Sequence, residues 1–236
     1  MPAPLYKEVR EKLLASITRG AWPTGTALPS EAALALEYGV SVGTLRKAVD
    51  ELVIEKVLLR QQGRGTFVAA HDVERTLYDF FRIRHADGVS RFPEVETISL
   101  RRQAVDAETA AQLQLPAGAK VVRIINRLGI AGVPVVLDEV FLPATRFEGL
   151  TLEIFRQRPD TIYHLYQHRF GVNVLRGEER IRACRAGARE ARLLAISRSA
   201  PMLEVERLSF TYYDVPVEWR RSRVHTAEHY YVSDLG

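Results

Sequence analysis

The chain has 236 residues, 47% of them hydrophobic and 26% charged, with a formal net charge of +4. That length suits two modest domains, the apolar fraction excludes a disordered chain, and the mild positive balance suits contact with DNA over a limited patch. The one cysteine, Cys184, excludes an internal disulfide and a thiolate metal cage, and the lack of a long apolar run or signal pattern leads us to expect a cytoplasmic chain with no membrane partner.

Pro4 precedes an amphipathic run with Leu5, Val9, Leu13, Leu14 and Ile17 on one stripe and Gly20 as its stop, the spacing of a first helix. Trp22, Pro23 and Gly25 make a loop. Ser30 is placed to cap a second helix with Ala33, Leu34 and Leu36 on its apolar face, and Ser41 to cap a third bearing Leu45, Ala48, Val49, Leu52 and Val53. Between them Tyr38-Gly39-Val40 is the short glycine-bearing turn that a helix-turn-helix requires. Residues 58–61 and 66–68 are strand candidates flanking a hairpin tip, Gln62-Gly63-Arg64-Gly65.

This order predicts a DNA-binding face. The third helix would present Gly43, Thr44, Arg46 and Lys47 near its N-terminus, where a recognition helix meets base edges and phosphates. Arg46 can contact a guanine bidentately or clamp a phosphate, and Ser30, Ser41 and Thr44 can bond phosphate oxygens. Arg64, between two glycines, can reach into a narrow minor groove. Glu31, Gln62, Gly63 and Gly65 complete the expected set. A solvated basic helix would account for Arg46 alone, but not for the complete helix-turn-helix-wing order. On Leu28-Pro29-Ser30-Glu31, Val40-Ser41 with Thr44-Leu45-Arg46, and Gln62-Gly63 with Gly65-Thr66-Phe67-Val68, residues 4–70 resemble the DNA-binding domain of the GntR family of bacterial repressors. Many relatives have arginine at the positions of Ala32 and Val42, so contact here should lean on Arg46, Lys47 and Arg64.

We expect a DNA-binding domain over 1–70, a polar linker over 71–77 and a second domain over 78–236. The second domain is internally duplicated. Ala111-Gln112-Leu113-Gln114-Leu115-Pro116, then 120–125, then Val133-Pro134-Val135 return as 192–196, 201–206 and Val215-Pro216-Val217, with Leu115 and Ile196 81 apart and Pro134 and Pro216 82 apart. Each copy reads as short helix, turn, strand, hairpin, strand, which predicts an α+β fold with helices on an antiparallel sheet. Between the copies a helix starts near Thr161 and ends at Gly171, and 172–183 alternates as a strand.

Gly132-x-Pro134, Phe141-Leu142-Pro143 and Glu218-x-Arg220-Arg221-Ser222 make this stretch similar to the UTRA effector domain of the HutC-type branch of the GntR family, which has a chorismate-lyase-like fold. The resemblance implies a ligand cleft on the sheet. It places Arg127 on an arginine that holds an anion in sugar-phosphate-responsive members, with Gly129 at the second basic position of that pair. Asp138 falls on a ligand-bonding glutamate, Thr161 and Tyr163 on a serine and tyrosine that cradle the anion, and Glu218 on a carboxylate that accepts ligand hydroxyls, with Arg220 in the same motif. Val224 replaces a tyrosine. Ordinary salt bridges and caps are the alternative for each.

His164 and His168 are four apart on an expected helix, and His225 and His229 four apart in the tail, but no carboxylate completes a metal set, so no metal and no cofactor are expected. Cys184 should be a small strand hydrophobe. The arginines 176, 180, 182, 185, 189 and 192 should form a solvated face paired with Glu178, Glu179 and Glu190. Together these features point to a transcriptional regulator, most often a repressor in this family, that binds palindromic operator DNA as a homodimer under control of a small anionic or polar metabolite. With no nucleophile–base pair or phosphate loop, an enzyme is not expected.

Overall fold

The structure, a computed structural model, describes residues 4–70, 81–89, 91–159 and 161–233, and these fall into two compact units divided after Ala70. The expected linker, 71–77, lies outside the described residues.

In the first unit α1 (Leu5–Thr18), α2 (Glu31–Glu37) and α3 (Val42–Ile54) precede a hairpin of β1 (Leu58–Gln61) and β2 (Gly65–Val68). Val9, Leu13, Leu14 and Ile17 of α1 are buried, as are Leu45, Ala48, Val49 and Leu52 of α3. Both follow the i, i+3, i+4 spacing that sets one stripe toward a core. Helix α2 corrects its expected face: Leu34 and Ala35 are buried, whereas Ala33 is exposed and Leu36 is 85% exposed. Two positions turn a helix by about 200°, so Leu34 and Leu36 cannot share a narrow stripe. The hairpin pairs Gln61 with Gly65 across its tip, where Gly63 (φ +72°) and Gly65 (φ +116°) take backbone angles that favour glycine. Ala27 bridges to Phe67 beside it.

The second unit runs β3 (Ile83–His85), β4 (Glu94–Ala104), α4 (Ala107–Gln112), β5 (Lys120–Ile130), β6 (Val133–Pro143), α5 (Leu152–Arg156), α6 (Ile162–Phe170), β7 (Arg176–Arg185), α7 (Ala188–Leu194), β8 (Pro201–Phe210), β9 (Pro216–His225) and β10 (His229–Tyr231). Six strands form one antiparallel sheet ordered β4-β5-β6-β9-β8-β7, and β3 pairs with β10 in a separate ribbon. The duplication is visible in this order: β4-α4-β5-β6 is answered by β7-α7-β8-β9, and the copies meet along β6 and β9. Asp138 and Arg220, 82 residues apart, hold equivalent places, and their pairings (Asp138 with Ser222, Val140 with Arg220) exchange under the local twofold.

Each sheet face buries a different set of residues. One packs Val122, Ile124, Val140 and Leu142 against Phe147, Phe155, Tyr163 and Tyr166, and farther along packs Leu128, Val136, Val205 and Val224 against Ile83 of the ribbon. The opposite face packs Val121, Phe141 and Trp219 against Leu113, and Ile125, Leu137 and Met202 against Leu194. Strand β7 begins at Arg176 rather than Val172, because Val172 and Val174 are drawn into the core under α6 instead of pairing. His225 ends β9 and His229 begins β10, so these two are not helical neighbours. His164 and His168 do share α6, with ring centroids 4.1 Å apart. Cys184 is half-buried beside the Met202 cluster. The arginine run is also paired differently from expectation: Arg176 binds Glu178 and Asp214, but Glu179 serves Arg207 and Glu190 serves Arg223.

Candidate DNA interface and effector cleft

In the first unit both helix caps form as their sequences dictate. The Ser30 Oγ accepts from the Ala33 amide at 3.2 Å and the Ser41 Oγ from the Thr44 amide at 3.1 Å, with the Thr44 hydroxyl 2.9 Å away. These hydroxyls are engaged in holding the helix starts, which leaves the Val42 and Gly43 amides at the start of α3 as natural phosphate donors. Ser41→Ala should lower the unit's unfolding free energy by about 1 kcal/mol, measured in urea.

Glu31 occupies a place that spacing alone did not suggest. Its carboxylate accepts from the Arg46 Nε at 2.8 Å and lies 3.5 Å from Arg60, which also pairs with Asp50 at 2.8 Å. An anion at a DNA face repels phosphate, but here it orients Arg46, whose side chain is still 59% exposed. Arg60 was missed because a charged residue in a short strand carries no distinguishing spacing. The Lys47 Nζ sits 4.0 Å over the Tyr6 ring, and the Arg64 guanidinium 5.8 Å from the Phe67 ring at the hairpin tip formed with Gln62, Gly63 and Gly65. Gly43 and the exposed Val42 open α3.

In the second unit a cleft lies on the sheet face that carries Asn126, Asp138, Arg207 and Arg220. Its walls include Phe81, Phe92, Val95 and Leu128, and it is continued by Ser222, Glu179 and Tyr231. Behind the polar floor lies Glu218, which is fully buried. It accepts from the Tyr166 hydroxyl at 2.8 Å, from the Tyr163 hydroxyl at 3.1 Å and from Arg220 at 3.1 Å. Burial alone would raise its pKa, but the Arg220 charge and these hydrogen bonds outweigh it and hold the carboxyl below its ordinary range. Burial likewise opposes the Arg220 charge, yet Glu218 and Asp138 keep it firmly protonated. Burial, then the Glu218 charge, push the Tyr166 phenol well up. Arg220 also donates to Asp138 at 3.0 Å, and Arg207 to Glu179 at 2.7 Å.

The cleft therefore brings together Asp138, Thr161, Tyr163 and Arg220, with Glu218 directly behind them. Arg127 is not in this group. Strand alternation sends it to the opposite face from Asn126 and Leu128, where it pairs with Glu96 and donates to the Leu193 carbonyl at 3.3 Å. Among the described residues three polar ones outside the expected set line this end of the cleft: Asn126, Arg158 and Arg207. Asn126 is 3% exposed and, among the described residues, its side-chain oxygen has no hydrogen-bond partner. Arg158 rests 4.4 Å over the Phe155 ring and donates to the Phe155 carbonyl, while among the described residues its Nε has no partner. Burial lowers its pKa. Among the described residues no group of His, Cys, Asp and Glu is arranged to hold a metal, and no helix is long and apolar enough to cross a membrane.

Comparison with known proteins agrees with both units. The profile of the bacterial regulatory proteins, gntR family, matches residues 5–68, and that of the UTRA domain matches 88–230. The chain is 31% identical over 215 residues to the histidine utilization repressor of Pseudomonas putida, spanning 89% of this chain and 84% of that protein. It is also 31% identical over 205 residues to the mannosyl-D-glycerate transport/metabolism system repressor MngR of Escherichia coli K12, spanning 85% and 83%. Among solved structures, the ligand-binding domain of a GntR-family transcriptional regulator from Bordetella bronchiseptica is 36% identical with a TM-score of 0.64, covering 67% of this chain and 99% of its own. With a helix-turn-helix unit that matches one profile and a duplicated sheet that matches the other, this chain belongs to the GntR family of bacterial transcriptional regulators and carries the UTRA effector-binding domain.

Proposed function

We propose that the chain is a repressor that leaves its operator when a small polar or anionic metabolite enters the cleft of the second unit. The convergence of Asn126, Asp138, Thr161 and Arg220 on one cleft beside an apolar wall carries this reading, and among the described residues the buried Asn126 oxygen has no partner, which costs on the order of 1–3 kcal/mol. A homodimer would set two α3 helices about one DNA turn apart on a palindrome, as helix-turn-helix dimers require. The 1–70 and 78–236 domains would communicate through 71–77, and the metabolite must bind the two arrangements with different affinity. DNA contact falls to Arg46, Lys47 and Arg64 with the leading amides of α3; the cleft contacts fall to Asn126, Asp138, Thr161 and Arg220.

The test is fluorescence anisotropy of the full chain on DNA selected from a random pool. Specific binding should be reversed by a bacterial metabolite extract; binding that is specific but indifferent to every extract fraction would remove the effector half of the proposal. With few exposed cations on the DNA face, log affinity against log salt should also show a slope of only about −3 to −6 per dimer, counting a few phosphates for each unit. A slope near −10 would reveal a second cationic surface, and the β7 arginines would be the first to test.

A further inference from the structure

The charges of the cleft identify its ligand more closely than its shape does. This inference rests on the cleft being the effector site. Four arginines line it (Arg82, Arg158, Arg207 and Arg220), against Asp138 and Glu179, with Glu218 directly behind Arg220. Arg207 is matched by Glu179, and Arg220 lies between Asp138 and Glu218. Among the described residues the excess is therefore one positive charge. Asp160 lies outside them.

Arg82 and Arg158 are the two lining arginines left without a carboxylate among the described residues, and Arg158 is the one beside the start of α6. Among the described residues no carboxylate pairs with it, its Nε lacks a partner, and the Phe155 ring holds its plane from below. Thr161 and Ile162, which begin α6, line the same cleft. The leading amides of a helix and the positive end of its dipole favour an anion. Across the cleft the chemistry inverts, since the lining there is the Asn126 amide and the Asp138 carboxylate, which accepts from Arg220 and Ser222 and has acceptor capacity for a further donor. Between these two ends Phe81, Phe92, Pro93, Val95 and Leu128 form an apolar wall.

We propose that the ligand is a monocarboxylate with an apolar or aromatic body and a hydroxyl or amine at its far end, seated by Arg158 and not by Arg127. A guanidinium fork matches the two oxygens of a carboxylate. A phosphate monoester carries about 1.5–2 negative charges near neutral pH and would leave the cleft over-compensated. The two positions that would add cations do not supply them: Arg127 is turned to the opposite face and paired with Glu96, and Gly129 has no side chain.

The test is calorimetry on the full chain with a panel of ring-bearing monocarboxylates, including 3-(4-hydroxyphenyl)propionate and 3-phenylpropionate, against glucose 6-phosphate and inorganic phosphate. At least one carboxylate should bind about tenfold or more tightly than either phosphate. Arg158→Gln should weaken it about tenfold, Arg158→Lys should recover part of the loss, and Arg127→Gln should stay within about twofold. Tighter binding of glucose 6-phosphate, no binding by any carboxylate, or unchanged affinity in Arg158→Gln overturns the proposal. Asp138→Asn and Asn126→Ala, checked for folding by circular dichroism, separate the two levels. If these weaken the carboxylate while Arg158→Gln does not, the cleft stands and the anion seat is wrong. If none of the three matters and Arg127→Gln does, the ligand sits on the opposite face and the cleft itself is misassigned.

Discussion

Glu218→Ala should lower the unfolding free energy of the second unit by about 3–5 kcal/mol, the usual result of removing one partner from a buried charge cluster. The loss follows from what is left behind: Arg220, and the Tyr163 and Tyr166 hydroxyls that Glu218 accepted. Arg220 would retain Asp138 alone. Thermal or urea unfolding followed through the tryptophans reports it, since Trp219 is adjacent in β9 and buried. The same cluster gives a pH dependence of definite sign. The folded Glu218 carboxyl lies below its ordinary value, so its stabilising contribution is complete above the ordinary carboxylate range. It is lost as pH falls through that range toward the lower folded value. The alanine variant should therefore show a shallower acid destabilisation than wild type. Equal acid slopes would mean that Glu218 is not the group being titrated.

Arg46→Ala should cost about 1–3 kcal/mol of operator affinity, as the loss of a guanine or clamped phosphate contact does, with the folded unit unchanged. Arg64→Ala should cost a similar amount if the hairpin tip enters the minor groove. Glu31→Ala distinguishes orientation from contact. If Glu31 only aims Arg46, its removal weakens binding modestly, and the loss disappears in the Arg46→Ala background, a non-additivity that a double-mutant cycle measures. If Glu31 mainly repels phosphate, its removal tightens binding in both backgrounds. Gel-shift titrations at one salt concentration decide between these, and unchanged affinity in both arginine variants would move the DNA face elsewhere.

What could be read from sequence was what local physics dictates. The Ser30 and Ser41 caps, the glycines of the hairpin tip and the duplicated helix-strand-hairpin pattern depend on a few neighbouring residues, and each reappears in the structure. The contacts that build the sites do not share that property. Glu31 reaches Arg46 across 15 positions and Tyr163 reaches Glu218 across 55, through packing that no short window contains. Alternation separates Arg127 from Asn126, but which face becomes the cleft depends on where α6 and the β3–β10 ribbon settle, and the resemblance placed an anion contact on Arg127, which lies on the other face. Arg158 carried no signal in its short connection; it acquires meaning from the Phe155 ring beneath it and the cleft beside it.

The meeting of the two copies along β6 and β9 also sets the order in which the second unit can form. Within each copy the ladder closes locally, as where Ile130 pairs with Val133 across a tight turn. The central seam instead joins partners such as Asp138 and Ser222, 84 residues apart, and no contact along it rewards the chain until most of that loop has been ordered. Each half can collapse early, while closing the seam is the slow event. Destabilising substitutions confined to one hairpin should then mainly hasten unfolding, and those at the seam should slow folding itself.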